Sequence, residues 1–270
     1  MTDEKFNISH TKLSSFRRCL QQYHWKYIDG YYPPATPNQD RGTAGHRGLA
    51  EWYRSHDPEQ ALKKAWEFWS GMGYDQEHPE WIWLQEALIR YFDWSQANDK
   101  IEFMKEEMKF QIQLQIGLTT VTFTGYVDGV VKEDGRIWLL ENKFYKKMDN
   151  SDQSLDIQSS LYLAACRIIE LDATGVIYNK IRIGDSKIAK KEPVVRQRVY
   201  RNPKGLDRIM SELAIQTEAM LKYQEGGLPY RNPTSNCSWD CPFHSQCLDM
   251  NDDGIEPTEM LQKISQIRRQ

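Results

Sequence analysis

Residues 121–143 read VTFTGYVDGVVKEDGRIWLLENK, two β-rich runs joined by KEDGR. Asp-Gly is a favoured pair for a two-residue hairpin loop, where both positions take positive φ. With Asp134 and Gly135 in the loop, Glu133 faces Arg136. Continued away from the turn, the same register sets Asp128 opposite Glu141 and Tyr126 opposite Lys143. Directly opposed side chains stand roughly 4.5–5.5 Å apart at Cβ, so two carboxylates meet, with an ammonium one pair along. By period two, Glu141 and Lys143 share a face with Ile137 and Leu139, apolar positions expected in the core.

Two like charges at the edge of an apolar face are unfavourable unless something offsets them. Paired carboxylates are the ligands that Mg²⁺ or Mn²⁺ prefers, and such an ion lowers the pKa of a bound water and offsets charge on a phosphoryl oxygen. Lys143 could orient or help deprotonate that water, or stabilise the transition state. The alternative is a solvent-exposed hairpin with scattered charges.

Working outward, KFQIQLQI (109–116) alternates strictly, with Phe110, Ile112, Leu114 and Ile116 on one face, and reads as a strand. Residues 152–170 read as a helix with Leu161, Ala165 and Ile168 as its core stripe. GVIYNKIRI (175–183) and PVVRQRVY (193–200) read as two further strands, and a helix over about 205–224 leads into a cysteine-rich segment and a charged, frayed tail. Upstream, residues 9–28 read as one capped helix carrying Leu13, Phe16, Leu20 and Tyr27, and YYPPATPNQD (31–40) as a loop. From 41 to 98 the pattern is helical and aromatic, interrupted by GMGYDQEHPE. The expected fold is α/β: a mixed central sheet flanked by helices, with an N-terminal helical insertion. The organisation expected is a helical region over 1–100, a core over 101–225, and a cysteine segment and tail over 226–270.

The 270 residues carry a formal charge of −3, which excludes a chain coated in basic residues but leaves room for a local basic groove. Ten cations between Lys180 and Arg208 face only Asp185, Glu192 and Asp207. With Lys146 and Lys147, that excess could track a phosphate backbone or simply form a solvated face. The Trp, Tyr and Phe residues of 52–94 could stack bases, although helical core is their ordinary use. No apolar run reaches the roughly 18 residues that span a membrane, and the polar start MTDEKFNISH does not read as a secretory signal. A cytoplasmic location is expected, where structural disulfides are rare. Of the five cysteines, Cys166 lies in an apolar helical run and reads as core. Cys237, Cys241 and Cys247 are grouped in NCSWDCPFHSQC, and with Cys19 far upstream they suggest a metal. Zinc and iron–sulfur both suit four thiolates, and His244 could replace one of them.

Asp128 followed by Glu141-Asn142-Lys143 resembles the D…(D/E)-x-K signature of the PD-(D/E)XK nuclease superfamily. GTAGH (42–46) resembles the G-x-x-x-H motif of its RecB-like exonuclease branch, whose histidine is a metal ligand, and Gln158-Ser-Ser-Leu-Tyr162 resembles its Q-x-x-x-Y motif. One early and three late cysteines resemble its [4Fe–4S] arrangement, with C-x3-C here where relatives often carry C-x2-C. The resemblance implies a restriction-endonuclease-like core that hydrolyses DNA, preferring single strands or ends. Mg²⁺ or Mn²⁺ would be held by His46, Asp128, Glu141 and Asn142, and Lys143, Gln158 and Tyr162 would complete the site. Cys19, Cys237, Cys241 and Cys247 would hold the cluster, with Zn²⁺ as its alternative. Recombination, phage replication or CRISPR-adaptation proteins are the partners it implies. A non-catalytic DNA-binding or assembly module is the rival. Residue by residue, His46 is expected in the first turn of a helix opened by the glycines of GTAGH. Gln158 and Tyr162, four apart, fall on one helical face.

Overall fold

The structure, a computed structural model, describes residues 6–146, 153–184 and 187–252. The tail beyond 252, the first five residues, Lys147 and Asp185 lie outside them. The chain opens with β1 (Phe6–Ile8), α1 (His10–Arg18) and α2 (Leu20–Tyr27). Three longer helices follow, α3 (Pro37–Ser55), α4 (Pro58–Gly71) and α5 (Pro79–Asn98). Next come β2 (Glu102–Ile116), β3 (Thr119–Glu133) and β4 (Arg136–Tyr145), then α6 (Ile157–Ile168), β5 (Ala173–Arg182), α7 (Lys187–Lys191) and β6 (Val194–Tyr200). The chain closes with α8 (Pro203–Gln224), α9 (Cys237–Asp240) and α10 (His244–Asp252). No helix among the described residues is long and apolar enough to cross a membrane.

Two compact units emerge. One comprises residues 1–35, 113–123 and 212–270; the other comprises 36–112 and 124–211. In the second unit the sheet is mixed: β3 and β4 pair antiparallel, β4 and β5 parallel, β5 and β6 antiparallel. The Asp134-Gly135 turn has φ of 48° and 76°, and Glu133 pairs with Arg136 as expected. The ladder holds as far as Gly129–Leu140 and then stops. At the next position the Asn142 N–H donates to Asp128 Oδ2 (2.6 Å), so a side chain takes the bond that continued pairing would require.

Strand β4 is buried from Trp138 to Asn142, and β5 from Gly175 to Ile181. Both faces of the sheet are therefore covered, as parallel pairing demands. On one face α3, α4 and α5 build an aromatic core. Trp52 stacks on Phe92 (4.5 Å), and Leu49, Trp69, Leu84 and Tyr91 pack with Val131, Trp138, Leu140 and Ile177. Most of the aromatic residues of 52–94 thus serve as core. On the other face lies α6, with Leu161 and Ala165 buried; Ile168, expected in its core stripe, is half exposed as the last residue of the helix.

Helix α3 corrects the reading of GTAGH. Thr36 and Gln39 form a capping box and Pro37 takes the first helical position, so the helix begins inside the segment expected to be a loop. His46 consequently sits in mid-helix rather than in a first turn. Gly45 is required there by contact: a Cβ would lie 2.5 Å from the Phe144 ring.

In the first unit β1 pairs parallel with residues 121–123 of β3. The single helix expected over 9–28 is broken at Cys19, whose φ/ψ of −163°/118° is extended. The C-terminal segment takes over the bonds the break frees: Asn232 Nδ2 donates to the Arg18 carbonyl, and the Gln21 N–H donates to the Tyr230 carbonyl.

Candidate active site

The second unit brings His46, Asp128, Glu141 and Lys143 together. Asp128 Oδ1 lies 3.0 Å from His46 Nδ1, and Lys143 Nζ lies 2.6 Å from Glu141 Oε1. The carboxylates are largely covered, with side-chain exposures of 22% for Asp128 and 9% for Glu141. Burial alone would raise Asp128. The charge and hydrogen bond of His46, with the Asn142 N–H, outweigh it and hold that carboxyl below its usual range. Glu141 behaves oppositely: burial, then the charge of Asp128, pushes it up to about 7. Burial would lower His46 and Lys143, but Asp128 and Glu141 respectively raise them. The two neighbouring carboxyls are thus shifted in opposite directions, as coupled acids are.

Among the described residues no three His, Cys, Asp or Glu side chains already stand in a metal-coordinating arrangement. The donor set is nevertheless suited to a hard cation. His46 Nδ1 lies 3.0 Å from Asp128 Oδ1, and burial with the charge of Asp128 raises Glu141 despite the Lys143 ammonium at 2.6 Å, so an added cation would favour its ionised form.

Asn142 is placed differently from its neighbours. Its side chain enters the opposite face of the sheet, where Oδ1 accepts from Tyr53 OH (2.8 Å) and Asn179 Nδ2 (3.0 Å), while Nδ2 stands 3.3 Å from Asp128 Oδ2. Behind it Asn179 Oδ1 accepts from Arg196 Nε (2.7 Å), and Arg196 Nη1 pairs with Asp99 Oδ1 (2.6 Å). Tyr91 OH accepts from Asn179 Nδ2 (3.1 Å). This buried network supports the Asp128 carboxylate from beneath. It was not anticipated from sequence, although a polar pair, Asn179-Lys180, inside an otherwise apolar strand was a signal for it.

Gln158 and Tyr162 share one face of α6, with Gln158 Nε2 donating to Tyr162 OH (3.3 Å). Burial first, and then the charge of Glu141, raises the Tyr162 phenol. Asp156 caps α6 and accepts from the Gln158 N–H, Ser159 Oγ and Tyr178 OH. The basic run is less open than its composition suggests: Arg182 pairs with Glu192, Arg196 with Asp99 and Arg198 with Glu133.

In the first unit Cys19, Cys237, Cys241 and Cys247 line one cavity of about 320 Å³, with Trp25, Phe243 and His244. None forms a disulfide. Burial raises the thiols of Cys241 and Cys247, the latter to about 11, and the neighbouring cysteines push the same way. The Thr234 N–H donates to Cys237 Sγ (3.3 Å). Four thiols lining one cavity, with a backbone donor to one sulfur, form a donor set that suits a thiophilic metal or cluster. Cys166 is fully buried in the other unit with its thiol pushed up to about 12, as a core residue should be.

No curated protein sequence matches the chain. The crystal structure of a "putative exonuclease" from Eubacterium rectale aligns over 87% of this chain and 86% of that one, at 12% identity and a TM-score of 0.58, a likeness of fold. The crystal structure of SSO0001 aligns over 92% and 88%, at 14% identity, but its TM-score of 0.43 carries no argument. Residues 7–248 match the family model of the PD-(D/E)XK nuclease superfamily, and the chain, with its mixed sheet flanked by helices, belongs to that superfamily.

Proposed function

We propose that the protein is a divalent-metal-dependent DNA exonuclease of the RecB-like branch, acting on single strands or ends. The observation that carries this reading is the convergence of His46, Asp128, Glu141 and Lys143 on one covered patch. His46, Asp128 and Glu141 would hold Mg²⁺ or Mn²⁺, with the Asn142 main chain beside them. Such an ion supplies an acidified water and neutralises charge on the phosphoryl oxygens. Lys143 is kept protonated by Glu141, which favours a role as hydrogen-bond donor, orienting the attacking water or stabilising phosphoryl charge, over a role as base. Tyr162, tied to Gln158, stands where its hydroxyl can position a substrate oxygen or Lys143. The thiols of Cys19, Cys237, Cys241 and Cys247 would hold a [4Fe–4S] cluster that fastens the broken N-terminal helix pair to the C-terminal segment, with zinc as the alternative occupant.

The experiment is cleavage of end-labelled single- and double-stranded oligonucleotides with Mg²⁺, Mn²⁺ or EDTA. Mononucleotide or short-oligomer release from single strands or ends, dependent on metal and abolished in Glu141→Ala, is expected. Oligonucleotide binding without cleavage under every metal condition would mark a non-catalytic module instead.

A further inference from the structure

Strand β5 runs parallel to β4, with Glu141 beside Tyr178 and Lys143 beside Lys180. Side chains two apart on a strand share a face. Tyr178 donates to Asp156 and Ser159 on α6, so Lys180 stands on the α6 face, next to Lys143 and on the side of Glu141. Its residue is only 5% exposed. Its stem is covered, while Nζ is not among the fully covered side-chain atoms that lack a partner, so the ammonium keeps a path to the surface.

The other cations around this patch are committed. Lys143 is held by Glu141, Lys146 by Glu80, and Arg201 by Ser160 Oγ and the Gln153 carbonyl. The nearby carboxylate of Asp156 is occupied by its three donors. Lys180 makes no hydrogen bond or ion pair among the described residues. A buried, uncommitted cation at the edge of the patch is arranged to receive an anion from outside.

We infer that Lys180 is a substrate-binding residue that takes a non-bridging oxygen of a DNA phosphate at or next to the one being cleaved. This rests on the nuclease reading. It separates Lys180 from Arg182, Arg196 and Arg198 of the same run, which carboxylates neutralise. Lys180 and Lys143 then divide the work, one gripping the backbone and the other serving the reacting centre.

The test compares Lys180→Met, which keeps the length and apolar stem, with Lys180→Arg, which keeps the charge. Binding of a labelled oligonucleotide is followed by anisotropy in Ca²⁺ across a salt series, and cleavage is followed in Mn²⁺. Lys180→Met should bind and turn over roughly ten- to a hundredfold less well in kcat/KM, as expected on losing one charge-assisted bond. Its log–log salt slope should be shallower by about 0.7–0.9, the contribution of one phosphate contact. The Mn²⁺ concentration for half-maximal activity should stay at the wild-type value, and Lys180→Arg should recover the slope. An unchanged slope in folded Lys180→Met overturns the assignment. So does Lys180→Arg failing as badly as Lys180→Met, which would mark a packing role. If wild type binds but never cleaves, the nuclease reading falls, while the salt slopes still decide whether Lys180 grips phosphate.

Discussion

Replacing Glu141 with Gln should stabilise the metal-free protein in alkaline solution even as it removes cleavage. The Glu141 carboxyl rises from its ordinary 4.5 to about 7 because burial and Asp128 both oppose its charge. A carboxyl whose folded pKa is raised favours the folded state below its unfolded pKa, and that advantage is lost as pH climbs through the folded value. The window is therefore about pH 4.5 to 7. At ~1.4 kcal/mol per pKa unit the full penalty is roughly 3 kcal/mol. Most of it, about 2–3 kcal/mol, falls between pH 5 and pH 8.5. For a domain of this size that corresponds to some 5–10 °C in melting temperature. Burying Glu141 almost completely (9% side-chain exposure) means that solvent screening does little to reduce the figure. The assay is thermal unfolding in EDTA from pH 5 to 8.5, wild type against Glu141→Gln. His46 also has a raised pKa, in part through Glu141, so the difference between the two curves reports Glu141 together with its charge coupling to His46 and Lys143. Curves that stay parallel across the window would refute the reasoning, because Glu141 would then ionise as freely in the fold as outside it.

Further outcomes follow from the same geometry. Lys143→Ala should cut turnover at least a hundredfold with the fold intact, whereas His46→Ala should raise the Mn²⁺ needed for half-maximal activity and recover partly in excess metal. Near wild-type kinetics in either would detach that residue from the site. Asn179→Leu should cost roughly 2–4 kcal/mol in denaturant unfolding, since it removes one buried partner each from Tyr91, Asn142 and Arg196, leaving Tyr53 and Asp99 to answer them. It should also weaken metal affinity through Asp128, and a loss of stability with unchanged metal titration would confine the network to folding. Protein purified without oxygen should be brown and carry about four irons per chain. Cys19→Ser should melt lower while the folded fraction keeps metal-dependent cleavage, and colourless protein with stoichiometric zinc would replace the cluster assignment.

What could be read from the chain alone divides by how local the physics is. The Asp134-Gly135 hairpin was legible because its turn chemistry and register lie within a dozen residues, and the alternation of KFQIQLQI likewise carried its strand. The register was extended past Gly129–Leu140 to Tyr126 and Lys143, where the ladder no longer runs, since a carboxylate can replace a ladder acceptor and Asp128 does so toward Asn142. The start of α3 was present in Thr36, Pro37 and Gln39, but the neighbouring prolines suggested a loop. Cys19 could not announce its extended backbone, because the groups that stabilise the break sit on Tyr230 and Asn232.

The basic run shows the same limit in electrostatic form. Counting charge between Lys180 and Arg208 treats each cation as available, yet Arg196 and Arg198 are answered by Asp99 and Glu133, far earlier in the chain. Pairing across a sheet erases the composition signal and leaves a sharper one behind. Once committed cations are removed, what distinguishes a residue is a covered stem with an unpaired head, and Lys180 has both next to Lys143. Glu141 is the acid on which a cost of burial falls, set beside Asp128 under cover. A fold relieves such costs wherever it can, as the Asn179–Arg196–Asp99 network on the opposite face does with every polar group answered. On the proposed reading the active-site face is completed from outside, by cations on its acids and by a phosphate on its lysine.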